Sequence, residues 1–170
     1  YLNRVYRAWN FGGFNANGDI LVFINSDMGF SSDWLDNLLV QLNRTTIPCS
    51  RLVESGKLLS GKHAISRNFG RSPDEFNQDN FLAFTNSIKK KECLSGGLYM
   101  PCAFYKDDFI RSGGYPEGNV CAGGVGVWKT KCIESGDSWF FKSNPVMSQK
   151  KHVTVFDSIV YHIQEGEMDT

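Results

Sequence analysis

The stretch Asn17-Gly18-Asp19-Ile20-Leu21-Val22-Phe23-Ile24-Asn25-Ser26-Asp27 decides the fold class of this chain. Ile20 to Ile24 is apolar without a break and Asn25 closes it, which predicts a strand buried on both faces, as in a parallel sheet. Asn17-Gly18-Asp19 supplies the turn into that strand. Upstream, residues 1–13 (YLNRVYRAWNFGG) read as a helix ended by Gly12 and Gly13, so an αβ unit of an α/β fold is expected. Downstream, Ser31 is placed to cap a helix over about 32–43, with Phe30 and Leu35 set as a hydrophobic staple. Trp34, Leu35, Leu38, Leu39 and Leu42 recur there at helical spacing.

Further along, residues 45–92 mix polar stretches such as Ser72 to Asn80 with β-like pieces such as Arg51 to Glu54, which predicts loops and one or two strands. The β-like run Leu98 to Tyr105 leads into a short helix, Lys106 to Ser112, with acids in its first turn and Gly113 at its end. Residues 113–126 hold six of the 17 glycines and read as a loop built for close backbone approach. A second helix is expected around Val127 to Glu134, ending at Gly136. Val153 to Ile163, rich in β-branched residues, reads as a strand carrying His162 near its end. With no internal repeat or low-complexity linker, residues 1–170 read as one domain.

Composition narrows the function. A 41% hydrophobic content over 170 residues suffices for a single core. Eighteen basic residues balance 18 acidic ones, so no overall field draws the chain to nucleic acid or to an anionic membrane; an anionic ligand needs a local site. Five cysteines without a Cys-x-x-Cys pair argue against zinc or redox chemistry. Reduced, mostly buried thiols and a cytoplasmic setting are expected. No run approaches the roughly 20 apolar residues of a membrane span.

Ligands of open α/β sheets bind outside the carboxyl ends of strands, where Asn25-Ser26-Asp27 falls. Ala8-Trp9-Asn10-Phe11-Gly12, Ala16-Asn17-Gly18-Asp19, Ile20 to Asp27 and Trp34-Leu35 follow one another here in an order that resembles the family-2 glycosyltransferases. In those proteins a helix of the form A-x-N-x-G leads through A-x-G-D into a strand ending in a D-x-D-type motif. Phe109-Ile110-Arg111-Ser112-Gly113-Gly114-Tyr115-Pro116-Glu117 resembles the family's F-x-x-x-G-G-F-x-E segment. Gly136-Asp137 with Phe140 resembles its E-D-x-x-hydrophobic motif, and the strand ending in His162 resembles the one that carries a metal-binding histidine. Two departures stand out: Asn25 replaces the first acid of D-x-D, and Gly136 replaces the Glu of the E-D pair.

The resemblance implies a GT-A fold, a mostly parallel mixed sheet flanked by helices, and transfer of a sugar from a nucleotide-sugar donor to a glycan or other hydroxyl acceptor, with inversion. It implies a divalent metal, Mn²⁺ or Mg²⁺, held by Asp27 and His162. Asn25, Asp27, Asn10 and Gly114 are the candidates for binding the donor, Asp137 is the candidate base, and Glu117 is its reserve or a sugar ligand. A GT-A domain opens with nucleotide-binding strands, about two βαβ units of roughly 30 residues each, so a further N-terminal segment or domain, itself able to carry membrane association, is expected to complete the site. A catalytically degenerate carbohydrate-binding module remains the alternative. His63, His152, Arg4 and Arg7 read as structural or solvated. Trp9 and Trp34 read as core or rim, with Trp128 and Trp139 the better placed to stack on a sugar.

Overall fold

The computed structural model describes residues 2–56, 59–97, 100–121, 124–125 and 132–163. The chain forms two compact units, one from residues 1–21 and 104–150 and the other from 22–103 and 151–170.

In the second unit the longest strands, β3 (Thr46–Glu54) and β10 (Lys151–His162), run parallel. Their register starts at Lys151↔Thr46 and reaches Val155↔Ser50, then jumps so that Ile159 meets Arg51 and His162 meets Glu54. Phe156 to Ser158 form the bulge that absorbs the jump. Ser158 pins it, with its hydroxyl 2.8 Å from that of Ser50 and 2.7 Å from the Trp34 carbonyl. β4 (Ile65–Ser66) adds parallel to β3. β2 (Met28–Phe30) and β5 (Cys93–Ser95) pair antiparallel with β10, and β6 (Cys102–Tyr105) antiparallel with β3. With β1 (Ile20–Phe23) the sheet order is β1-β6-β3-β10-β2, β4 flanking β3 and β5 flanking β10; the unit boundaries fall inside β1 and β6. The sheet is therefore mixed and mostly antiparallel, which corrects the expected mostly parallel sheet.

The deciding strand is shorter and less buried than its sequence suggests. Leu21 and Phe23 are 6% exposed, but Ile20 and Ile24 are 40% and 43% exposed, so the second face is covered only in part, at Val22. β1 stands at the end of the strand order, and an apolar run in the sequence does not reveal how much of each face its neighbours cover. Helix α2 (Trp34–Val40) begins after Asp33 without a side-chain cap. Ser31 is buried, and its hydroxyl has no hydrogen-bond partner among the described residues. Phe30 packs on Trp34, ring centroids 4.5 Å apart, while Leu35 is exposed, so neither the expected cap nor the staple forms. Helix α3 (Gln78–Ile88), unforeseen in the sequence, is capped by Asn77, whose side chain accepts from the Asn80 N–H at 3.0 Å. It buries Phe81 against Val53, Phe69, Ile159 and Tyr161. A second cluster gathers Leu38, Ala103 and Val155 under Val22 and Trp34.

The first unit packs α1 (Leu2–Asn15), α4 (Lys106–Ser112) and α5 (Gly136–Lys142) beside a small antiparallel sheet of order β8-β7-β9, formed by β7 (Val120–Cys121), β8 (Gly124–Val125) and β9 (Cys132–Glu134). α1 continues through Gly12 and Gly13 instead of ending there. A side chain at Gly13 would lie 2.4 Å from the Phe109 ring, so this glycine serves a close approach to α4. α4 ends as expected, with Gly113 in the left-handed conformation at φ 77°. The glycine-rich segment holds β7 and β8, so it is more than a loop. Of the helix expected at Val127 to Glu134, the last three residues are β9 and the others lie outside the described residues, as do Leu98 and Tyr99. The core is aromatic: Tyr115 stacks on Phe140 at 3.9 Å and on Tyr6 at 5.7 Å, and Phe109 and Phe104 flank Phe140. Beneath α4, the buried Asp108 pairs with Arg111 and with Lys150 at 2.6 Å.

Candidate functional site

Strand register assembles three titratable side chains in the second unit. β10 places His162 beside Glu54 of β3 on one edge and Met28 of β2 on the other, with Asp27 one residue before Met28. The backbone fixes that corner, since the Ile163 N–H donates to the Asp27 carbonyl at 2.9 Å. His162 Nδ1 then lies 2.9 Å from Glu54 Oε1, and Nε2 lies 3.4 Å from Asp27 Oδ2. Glu54 is fully buried, and its carboxylate also accepts from the Ser60 N–H at 2.7 Å and the Ser60 hydroxyl at 2.5 Å.

The charges follow from this geometry. Burial pulls the His162 imidazolium down, but its bonds to Asp27 and Glu54 outweigh that and raise its pKa to about 9. The bond from His162 holds Asp27 below the usual carboxylate range, more than offsetting its partial burial. Burial raises Glu54, yet the donors on His162 and Ser60 overcome it and the net shift is downward. Sequence reasoning selected Asp27 and His162 and missed Glu54. The available signal was slight: an acid closing the β-like run Arg51 to Glu54, recognisable only once that run is known to lie beside β10.

Asp137 belongs to the first unit, in the opening turn of α5. Its Oδ1 accepts from the Ser138 N–H at 2.9 Å and from the Tyr6 hydroxyl at 3.4 Å, and the Asp137 N–H donates back to the Tyr6 oxygen at 3.2 Å. Oδ2 makes no hydrogen bond among the described residues. Burial, and then the neighbouring Asp137 carboxylate, push the Tyr6 phenol up to about 12. The departure at Gly136 has a steric cause: a side chain there would lie 2.6 Å from both the Gly118 carbonyl and the Tyr6 ring.

Asn10, Gly114 and Glu117 have structural partners. Both ends of the Asn10 amide are engaged by Tyr115, Nδ2 donating to its carbonyl and Oδ1 accepting from its N–H, each at 2.8 Å. Gly114, at φ 79°, leaves room for that amide, since a side chain would meet Asn10 Oδ1 at 2.6 Å. Glu117 pairs with Arg7 at 2.9 Å on an exposed surface. Asn25 is half-buried and its side chain makes no hydrogen bond among the described residues. Trp139 is half-buried, and Trp128 lies outside the described residues.

All five cysteines are free; Cys49, Cys102 and Cys121 are buried, Cys93 and Cys132 exposed. Among the described residues no helix is long and apolar enough to cross a membrane, and no group of three or more side chains is arranged to hold a metal ion. No known protein-family model matches the chain.

Proposed function

We propose that this protein is a metal-dependent, inverting glycosyltransferase that moves a sugar from a nucleoside diphosphate to a hydroxyl of a glycan or other acceptor. The observation that carries this reading is the line Glu54, His162, Asp27 across adjoining strands, because it unites the two residues that the family resemblance marks as metal ligands. A divalent cation fits the donor set. An Asp27 oxygen and His162 Nε2 would hold it, a pairing suited to manganese, with magnesium relying more on oxygen. Glu54 fixes the opposite ring nitrogen, as ligating histidines require. Bound there, the cation would supply Lewis-acid neutralisation of the charge developing on the departing diphosphate.

The chain's own residues account for the remainder. To hold a cation, His162 would present Nε2 unprotonated, its proton passing to solvent, while Nδ1–H stays on Glu54; Asn25 offers a neutral amide to a ribose hydroxyl. Asp137, its Oδ1 fixed by Tyr6 and Ser138, is the base that the family resemblance implies for the acceptor hydroxyl's proton. Glu117, held by Arg7, is the resemblance's candidate for binding sugar hydroxyls. The packing at Gly136, which leaves no space for the family's Glu, favours one second reading: carbohydrate binding without turnover.

Release of nucleoside diphosphate from a panel of nucleotide sugars, with manganese or EDTA and with or without oligosaccharide acceptors, tests the proposal. Acceptor-stimulated release that EDTA abolishes and Asp27→Ala lacks is expected. Manganese-dependent donor binding without release would favour the binding module, and neither binding nor release would remove both readings.

A further inference from the structure

The segment after β4 and helix α3 border an open cleft of about 670 Å³ that none of the roles above uses, a size within the roughly 300–1,000 Å³ of small-ligand sites. Residues 67–70, which form one wall, leave the carboxyl end of β4, which runs parallel to β3 at Val53 and Glu54, as β10 does on the other side. That is the edge of a parallel group at which ligands collect. The wall is held in place. The Glu54 backbone carbonyl accepts the Arg67 N–H at 2.9 Å, and the Tyr161 hydroxyl receives the Phe69 N–H at 2.9 Å while donating to the Gly70 carbonyl at 2.6 Å.

The lining combines one positioned cation, Arg67, and one carboxylate, Glu75, with several neutral hydrogen-bonding groups. The Arg67 guanidinium lies over Phe84, 4.3 Å from its centroid, and 5.5 Å from that of Phe69. Among the described residues it has no carboxylate within ion-pair distance. Glu75 shares the lining but is turned to the Arg71 N–H at 3.0 Å. On the facing wall, Asn77 uses its oxygen on the Asn80 N–H and keeps its amide donors. The Asn80 side chain makes no hydrogen bond among the described residues, and Ser87 donates to the Phe84 carbonyl, leaving its oxygen to accept.

We propose that this cleft binds a polyhydroxylated ligand bearing one carboxylate, that is, an acidic sugar unit. Arg67 meets the carboxylate as a fork already stacked on aromatic rings, so little freedom is lost on pairing. Asn77, Asn80 and Ser87 take the hydroxyls. A single cation beside amides suits one oxyanion among hydroxyls better than a polyphosphate. The binding needs neither metal nor nucleotide, so it stands or falls separately from the transferase reading.

Amide-resolved NMR titration of the protein in EDTA, with trigalacturonate, maltotriose and glucose 6-phosphate as probes, tests this. Trigalacturonate should shift the amides of residues 67–70 and 80–87 and bind at least about 10-fold more tightly than maltotriose, the effect of about 1.4 kcal/mol. Arg67→Gln should erase that preference while leaving maltotriose unchanged, and Asn80→Ala should weaken both sugars alike. Equal binding of the acidic and neutral trisaccharides overturns the proposal, as do shifts confined to other residues or no shifts at about 10 mM ligand. Tighter binding of glucose 6-phosphate than of trigalacturonate would assign the site to phosphate and overturn the carboxylate assignment.

Discussion

Glu54→Gln changes one atom in a fully buried side chain and is the sharpest probe of the site. The carboxylate accepts from the Ser60 N–H at 2.7 Å, the Ser60 hydroxyl at 2.5 Å and His162 Nδ1–H at 2.9 Å. An amide can keep its oxygen toward the Ser60 N–H, and the Ser60 hydroxyl can turn to accept from the new NH₂. His162 Nδ1–H then faces a donor. The loss is one charge-assisted hydrogen bond, about 1.5–3 kcal/mol. For a chain of this length each kcal/mol shifts Tm by about 2–4 °C, so melting should fall by about 3–12 °C. Manganese affinity should fall about 10–100-fold, the usual effect of removing a ligand's outer partner. Circular dichroism melts in EDTA at pH 7, followed by calorimetric manganese titration, measure both quantities. A variant that melts with the wild type and binds manganese equally would refute the argument that Glu54 sets the orientation of His162.

Asp137→Asn should lower the transfer rate about 10²–10⁴-fold with donor affinity nearly unchanged, because it removes basicity and keeps size; steady-state kinetics beside donor titration check it. Gly136→Ala should destabilise the protein by about 1–3 kcal/mol, since the added carbon would lie 2.6 Å from the Gly118 carbonyl and the Tyr6 ring; urea unfolding measures it. The raised His162 pKa, from 6.5 to about 9, contributes stability in full below the unfolded value and loses it as pH rises through the folded one. The depressed Asp27 and Glu54 contribute above the ordinary carboxylate range and lose it as pH falls through their folded values. Without metal, stability should therefore peak between about pH 5 and 6.5, and His162→Gln should flatten the decline from 6.5 to 9, read from melting temperatures across pH.

Elements whose signals are local were legible in the sequence. Lys106 to Ser112 forms its helix and Gly113 ends it, because the acids at one end and the left-handed residue at the other both act within a turn. Val153 to Ile163 is a strand for the same reason. What failed depended on partners distant in sequence. Ile20 to Phe23 has an apolar pattern that fits a central or a terminal strand equally, and only the neighbours decide. Gly13 resembles a helix stop until the ring of Phe109 is known to press against it. α3 was hidden because its first turn is polar, its apolar residues beginning only at Phe81. In the candidate site, Asp27 and His162 were found through motif order, whereas Glu54 needed a strand register that no local pattern encodes.

That register has a further consequence. Had β10 continued past Val155 at its initial pairing, Glu54 would have met Ile159, and an odd slip of three residues would have turned the alternate side chains to the other side. The bulge at Phe156 to Ser158 thus acts as a vernier, aligning an acid and an imidazole from two strands that would otherwise pass out of step. Its setting screw is Ser158, held by Ser50 and Trp34 several residues from either functional group. Changes at that serine can detune the site while leaving each of its functional side chains intact.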